Sequence, residues 1–414
     1  MRVLMFGWEF PPYISGGLGV ASEGLVRGLL QLGTEIVLVL PHHPLSSPER
    51  NLKILDAGEE RARDDAPHRK RFLLRLRRVP SLLRPYSTDT LYAEERQVAQ
   101  NTRTTFLGHY GPNLGTEVLR YAEVAGRIAR RERFDVIHAH DWLTYLAGLE
   151  ARRSSGKPLA VHVHATEFDR SGGGSNGFVS DIERLGLTSA DRVIAVSHYT
   201  AQVVAQTYGA PPERLRVVHN AIDPKETVGD WTVAEGDPLV LFAGRITWQK
   251  GPEYFVDAAA RVVREIPNVK FAVAGSGDQM RSMIERVAAH GIGSSFLFTG
   301  FLSPSELDRL YARADVYVMP SVSEPFGLTA LEALQHGTPV IVSKSAGVSE
   351  VVRNVLRVDF WDVEGLASNI LSVLLFPPLR EALSSGGRAE VRRLSWVESA
   401  EKCLAVYREM IRET

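Results

Sequence analysis

The stretch Glu324-Pro-Phe-Gly-Leu-Thr-Ala-Leu-Glu332 places two carboxylates, with seven residues between them, across the junction of a loop and a helix. Upstream, Asp315-Val-Tyr-Val-Met-Pro320 reads as a short buried strand ended by proline. Downstream, Leu328 to Gln335 is a run of helix formers stopped at Gly337. Glu324 therefore belongs to the loop and Glu332 to the helix. The first helical turn, around Gly327, Leu328 and Thr329, offers backbone N–H groups with no intrahelical acceptor, a natural seat for a phosphate. Carboxylates repel phosphate, so the two glutamates are better suited to accept hydrogen bonds from hydroxyls on either side of a diphosphate, a ribose on one side and a sugar on the other. That combination describes a nucleotide-sugar site. The competing reading is a surface loop and helix with two solvated glutamates.

Working outward from this stretch, strands and helices alternate along the whole chain, which predicts an α/β protein. At 414 residues the chain is longer than one comfortable core, so two Rossmann-like domains are expected. The boundaries predicted are residues 1–223 for the first domain, a polar Gly, Asp and Pro-rich linker over 224–238, and 239–395 for the second. A formal net charge of -1 with 23% charged residues gives no global pull toward nucleic acid or anionic membrane. One cysteine, Cys403, excludes an internal disulfide framework. No apolar run approaches membrane-spanning length and the N-terminus reads as a first strand, so a soluble, cytoplasmic protein is expected.

The second domain opens with the strand Leu239-Val-Leu-Phe-Ala-Gly244, followed by Arg245 and Lys250 just before a helix that begins near Gly251. Two cations at a strand end beside a helix start make an anion site. In the first domain a strand over Val3 to Phe6 leads into Ser15-Gly-Gly-Leu-Gly19 and then a helix with Leu25, Leu29 and Leu32 at core spacing. Gly16 and Gly17 let the backbone approach a diphosphate or sugar, although the Gly-x-Gly-x-x-Gly dinucleotide fingerprint is absent. Phe134-Asp-Val-Ile-His-Ala-His-Asp-Trp142 and Leu159-Ala-Val-His-Val-His164 each read as a strand ending in polar residues. Open parallel sheets bind ligands at such ends, so His140, Asp141 and His164 are candidates for a cleft wall. Histidines buried in strand cores are the alternative. A metal is not expected, because no compact set of histidine and carboxylate at ligand spacing accompanies them.

Ser171-Gly-Gly-Gly-Ser-Asn-Gly177 suits a lid better than a phosphate loop, since no strand directly precedes it. Residues 61–84 carry nine Lys or Arg against two Asp, interleaved with apolar residues. A solvated hairpin or irregular insertion is the preferred reading of this segment, ahead of a peripheral membrane contact.

Taken together, these motifs resemble those of the retaining nucleotide-sugar glycosyltransferases of the GT-B architecture, in the branch that holds bacterial and archaeal glycogen and starch synthases (group 1, family 4 type). The residues that carry the resemblance are Gly16-Gly17-Leu18-Gly19, His140-Asp141-Trp142, His164, Arg245 with Lys250, and Glu324-Pro-Phe-Gly-Leu-Thr329 with Glu332. The resemblance implies two Rossmann-like domains facing across a cleft, with the final helix, 396–414, crossing back to the first. It also implies that Arg245 and Lys250 hold the donor diphosphate, that Glu324 touches the transferred sugar and Glu332 the ribose, and that Asp141 and His164 line the reacting sugar. Ile14 stands where glycogen synthases usually carry lysine, and Phe326 where they often carry cysteine, so the acceptor is less constrained than the reaction. The expected function is retaining transfer of a hexose, glucose first, from a UDP- or ADP-sugar to an oligosaccharide or α-glucan in polysaccharide biosynthesis. No cofactor is expected, because the nucleotide-diphosphate sugar is itself the substrate. A UDP-sugar 2-epimerase and a non-catalytic nucleotide-sugar-binding subunit are the alternatives.

Overall fold

The computed structural model describes residues 1–11, 16–41, 52–55, 74–78, 114–172, 177–224 and 236–413. Its strands form two parallel sheets. The first joins β1 (Arg2–Phe6), β2 (Glu35–Leu40), β3 (Leu52–Leu55), β4 (Leu74–Arg78), β5 (Val136–His140), β6 (Leu159–Val163), β7 (Arg192–Ala195) and β8 (Leu215–Val217) in the order β3-β4-β2-β1-β5-β6-β7-β8. The second joins β9 (Leu239–Ala243), β10 (Lys270–Ala274), β11 (Phe296–Gly300), β12 (Val316–Met319), β13 (Val340–Ser343) and β14 (Leu356–Val358) in the order β11-β10-β9-β12-β13-β14. Central strands such as Val136–His140 and Val340–Ser343 are buried along their whole length, as expected for sheets covered by helices on both faces. Strand order reverses between β1 and β5 in one sheet and between β9 and β12 in the other. Such switch points open a crevice at the carboxyl ends of the strands. The architecture is that of two Rossmann-like domains.

Three expectations need correction or restriction. Leu74–Arg78 is not part of a hairpin: it pairs in parallel with both β2 and β3 inside the first sheet. Alternating Leu and Arg fits either arrangement, and the partner strand lies too far away in sequence to be seen locally. The rest of 61–84, the linker over 225–235 and the centre of the glycine run at 173–176 lie outside the described residues.

The last helix, Trp396–Glu413, completes the core of the first domain. Trp396, Ala400, Cys403, Leu404, Tyr407 and Met410 pack with Val3, Met5, Leu25 and Leu29. Close approach to helix Gly17–Gln31 depends on two glycines. A Cβ on Gly24 would lie 2.2 Å from the Trp396 ring, and one on Gly28 would lie 2.4 Å from the Trp396 carbonyl oxygen. The Tyr407 hydroxyl reaches His138 Nδ1 at 2.6 Å, inside the sheet of the first domain. No single helix among the described residues is long and apolar enough to cross a membrane.

Candidate functional site

The second-domain wall is built at the ends of β9 and β12. Past β9 the chain makes a single turn, Trp248–Lys250, and Gly251 in the left-handed region then starts helix Pro252–Glu265. This turn brings the Lys250 ammonium onto the Glu324 carboxylate. Ser321 Oγ donates to the same Glu324 oxygen at 3.2 Å. The Glu324 backbone is fixed as well, since its N–H donates to the Ser345 carbonyl at 3.0 Å and its carbonyl accepts from Gly347 N–H at 3.0 Å. Gly327 follows with φ +110, and a Cβ there would sit 2.8 Å from Met319 Cε, so glycine is required before helix Leu328–Gln335 can start. The N–H groups of Leu328 and Thr329 belong to the first turn of that helix, at its positive end. The Tyr317 hydroxyl lies between Thr329 Oγ1 at 2.8 Å and the Ala243 carbonyl at 3.1 Å, tying the helix start to the end of β9. One helical turn on, Glu332 accepts a hydrogen bond from Tyr311 OH at 3.1 Å.

The first-domain wall lies at the ends of β5 and β6. Asp141 adopts φ 56, a conformation that side-chain-bearing residues rarely hold without support. That support is the next strand: His164 N–H donates to Asp141 Oδ1 at 2.7 Å. Burial pushes the Asp141 carboxyl up to about 6, against the opposing pull of Arg170. Burial likewise pushes His164 down to about 3, which keeps it neutral. Parallel pairing of His140 with His162 puts His138, His140, His162 and His164 on one face as a stack of imidazoles. His140 Nδ1 and His164 Nε2 lie 2.9 Å apart. The two histidine readings thus divide: His138, His140 and His162 are strand-core residues, and His164 is the member next to the cleft. Among the described residues two compact donor sets occur, neither of which pairs His140 or His164 with a carboxylate. The donors of His138, His140 and His162 come within 4.8 Å of one another, as do those of His198, His219 and Glu350. Both groups assemble across strand pairs or domains, where sequence spacing carries no signal.

The two walls touch. Ser323, beside Glu324, donates from Oγ to Asp169 Oδ1 at 2.5 Å and lies 2.8 Å from Tyr199 OH. Ser197 Oγ donates to the Pro325 carbonyl at 2.6 Å. Glu350 accepts from the N–H groups of His198 at 2.8 Å and Tyr199 at 2.9 Å. Trp248 lies over Gly172, where a Cβ would come within 2.3 Å of its ring, and a Cβ on Gly17 would lie 3.6 Å from Leu328. The structure therefore joins Lys250 to Glu324, joins Asp141 to His164, and sets Gly17 against the start of helix Leu328–Gln335. Gly16 is the extended residue that precedes helix Gly17–Gln31. Arg245 stands just past the end of β9, and no direct bond links Glu332 to Glu324 among the described contacts. Sequence reasoning missed Ser323, Asp169, Tyr199 and Glu350.

Comparison with known proteins follows the same division of the chain. The family model described as Glycosyl transferases group 1 matches residues 225–390. That described as Glycosyltransferase Family 4 matches residues 86–226. A glycogen synthase from Mycobacterium tuberculosis is 28% identical over 429 residues, covering 98% of this chain and 94% of that protein. An alpha-maltose-1-phosphate synthase from Mycolicibacterium smegmatis is 32% identical over 311 residues, covering 67% of this chain and 80% of that protein. Among solved structures, a sucrose-phosphate synthase from Thermosynechococcus elongatus superposes with a TM-score of 0.76 at 21% identity, covering 100% of both chains.

Proposed function

This chain belongs to the group 1 glycosyl transferases of GT-B architecture, and from that premise we propose that it is a retaining hexosyltransferase using UDP- or ADP-glucose with an oligosaccharide or α-glucan acceptor. The observation that carries the reading is the Lys250–Glu324 pair beside the start of helix Leu328–Gln335. A cation from the turn after β9 meets a carboxylate and a helix N-terminus from the loop after β12, which matches a diphosphate with sugar hydroxyls next to it. Arg245 and Lys250 neutralise the charge that grows on the departing diphosphate, with help from the N–H groups of Leu328 and Thr329. Glu324 orients the transferred sugar and Glu332 accepts from the ribose. Asp141 and His164 face the sugar from the other domain.

In this reading the bond from the anomeric carbon to the phosphate oxygen breaks while the acceptor oxygen bonds to the same face. The leaving phosphate oxygen takes the acceptor's proton. Glu324 is engaged by Lys250 and Ser321, which supports a role in orientation over one as nucleophile. No metal is required for charge neutralisation when two cations and a helix start already supply it.

A second reading, a small phosphorylated acceptor, is favoured by the name of the 32% identical relative, an alpha-maltose-1-phosphate synthase. A screen of nucleotide release with UDP-, ADP- and GDP-sugars, against α-glucans and sugar phosphates, tests both. Product of inverted anomeric configuration rejects retention. Absence of acceptor-dependent nucleotide release from every donor rejects transfer.

A further inference from the structure

Among the described residues, two groups of side chains have donor atoms close enough together to share a metal ion, and their ring geometry separates them. In the buried group, the His138 and His162 rings lie 11° apart and those of His140 and His162 27° apart. An imidazole offers its lone pair in the ring plane, so nearly parallel stacked rings cannot converge on one ion. His138 Nδ1 is also occupied by Tyr407. In the second group, the His198 and His219 rings cross at 62° with centroids 5.9 Å apart, so their planes intersect. The Glu350 carboxylate lies beside both rings, with Oε2 2.7 Å from His219 Nε2 and all three donors within 4.8 Å of one another.

We propose that His198, His219 and Glu350 form a divalent transition-metal site, suited to Zn²⁺, that bridges the two domains. Two imidazoles and one carboxylate are a donor set for zinc rather than for the oxygen-seeking Mg²⁺ or Ca²⁺. The donor atoms lie within 4.8 Å of one another. Metal–ligand bonds of about 2.1 Å ask for ligand separations of roughly 3.4 Å, with one position left for water. His198 is exposed, and no side-chain hydrogen bond among the described residues holds its ring, so a rotation about its side chain closes the gap. On entry of the ion the His219 Nε2 proton leaves to solvent, and Glu350 Oε2 turns to the metal. Oε1 keeps the Tyr199 N–H at 2.9 Å.

The ligands come from both halves. His198 begins helix His198–Tyr208, and His219 follows β8 in the first domain. Glu350 ends the turn Gly347–Glu350 in the second. The complete set exists only while the two faces meet. An ion at about a hundred times its Kd would therefore favour the closed arrangement about a hundredfold. The ion takes no step in glycosyl transfer, so the site stands or falls separately from the proposed reaction.

The test is calorimetric titration of the untagged, EDTA-stripped full-length protein with ZnCl2, together with Co²⁺ absorption as a probe of coordination. One Zn²⁺ per chain is expected. His198→Ala, which among the described side-chain contacts removes only the ring contact with His219, should weaken binding at least tenfold while leaving the melting temperature unchanged. Glu350→Gln should weaken it too. No saturable binding in the wild type, or equal affinity in His198→Ala, overturns the site. Equal affinity in Glu350→Gln overturns the bridge between domains.

Discussion

Removing the Lys250 ammonium should damage turnover and stability through different causes, and a second substitution separates them. The Lys250 and Glu324 side chains are only 19% and 9% exposed, so this is a sheltered ion pair and not a surface one. In Lys250→Ala the Glu324 carboxylate keeps the Ser321 hydroxyl at 3.2 Å but loses its counter-charge. Stranding a buried charge costs about 3 kcal/mol. In a domain of this size that should lower Tm by roughly 6–12 °C. Loss of charge stabilisation on a departing diphosphate also costs about 3 kcal/mol of barrier, about a hundredfold in rate. Glu324→Gln removes the stranded charge. Lys250→Ala combined with Glu324→Gln should therefore recover most of the lost Tm without recovering any rate. Differential scanning calorimetry and nucleotide release on the purified single and double variants measure the two effects. Wild-type turnover in Lys250→Ala refutes the electrostatic role, and a double variant no more stable than the single refutes the stranded charge.

Arg245→Ala should remain folded by circular dichroism and lose about a hundredfold in turnover, and near-wild-type turnover would reject its place at the diphosphate. Turnover should persist in EDTA, and a complete loss restored by Mg²⁺ or Mn²⁺ would show that the two cations do not suffice. Burial holds the His162 imidazole well below its ordinary value, so the folded chain binds fewer protons than the unfolded chain below about pH 6.5, and stability falls as the pH falls. His162→Leu should accordingly lose about 2 kcal/mol less than wild type between pH 7 and pH 5 in urea denaturation, and equal losses would rule this out. Saturating UDP or ADP should lower the radius of gyration in small-angle scattering, because ligand-side residues sit on both walls. An unchanged radius in a chain shown to start open would argue against domain closure.

The second-domain site was the most legible part of the sequence. Pro320, Gly327 and Gly337 punctuate the strand, the helix start and the helix end, and the structure places helix Leu328–Gln335 between the two glycines as read. The doubly wound fold was legible for a similar reason, since apolar runs such as Val240–Ala243 alternate with amphipathic helices. Asp141 and His164 could be placed at strand ends by the rule for parallel sheets, but their mutual bond could not. It depends on β5 and β6 being neighbours, and on an Asp141 backbone conformation that nothing in the composition announces. Ser323, Asp169 and Tyr199 were invisible for a plainer reason. Each is a single polar residue, and the bonds Asp169–Ser323 and Tyr199–Ser323 span 154 and 124 residues. Glu350 reaches His198 across 152 residues, beyond any local pattern.

The return of helix Trp396–Glu413 to the first sheet has a consequence for the order of events during synthesis. Domains of a nascent chain generally fold as they emerge, amino-terminal first. Here the face formed by Val3, Met5, Leu25 and Leu29 waits for Trp396, Leu404 and Tyr407, which leave the ribosome after the whole of the second sheet. The second sheet, continuous from Leu239 to Val358, is made entirely within that wait. The domain translated first of the two is therefore completed second, with an apolar flank open to chaperones until helix Trp396–Glu413 emerges. Deleting helix Trp396–Glu413 would leave every residue of the second sheet in place and the defect in the opposite domain.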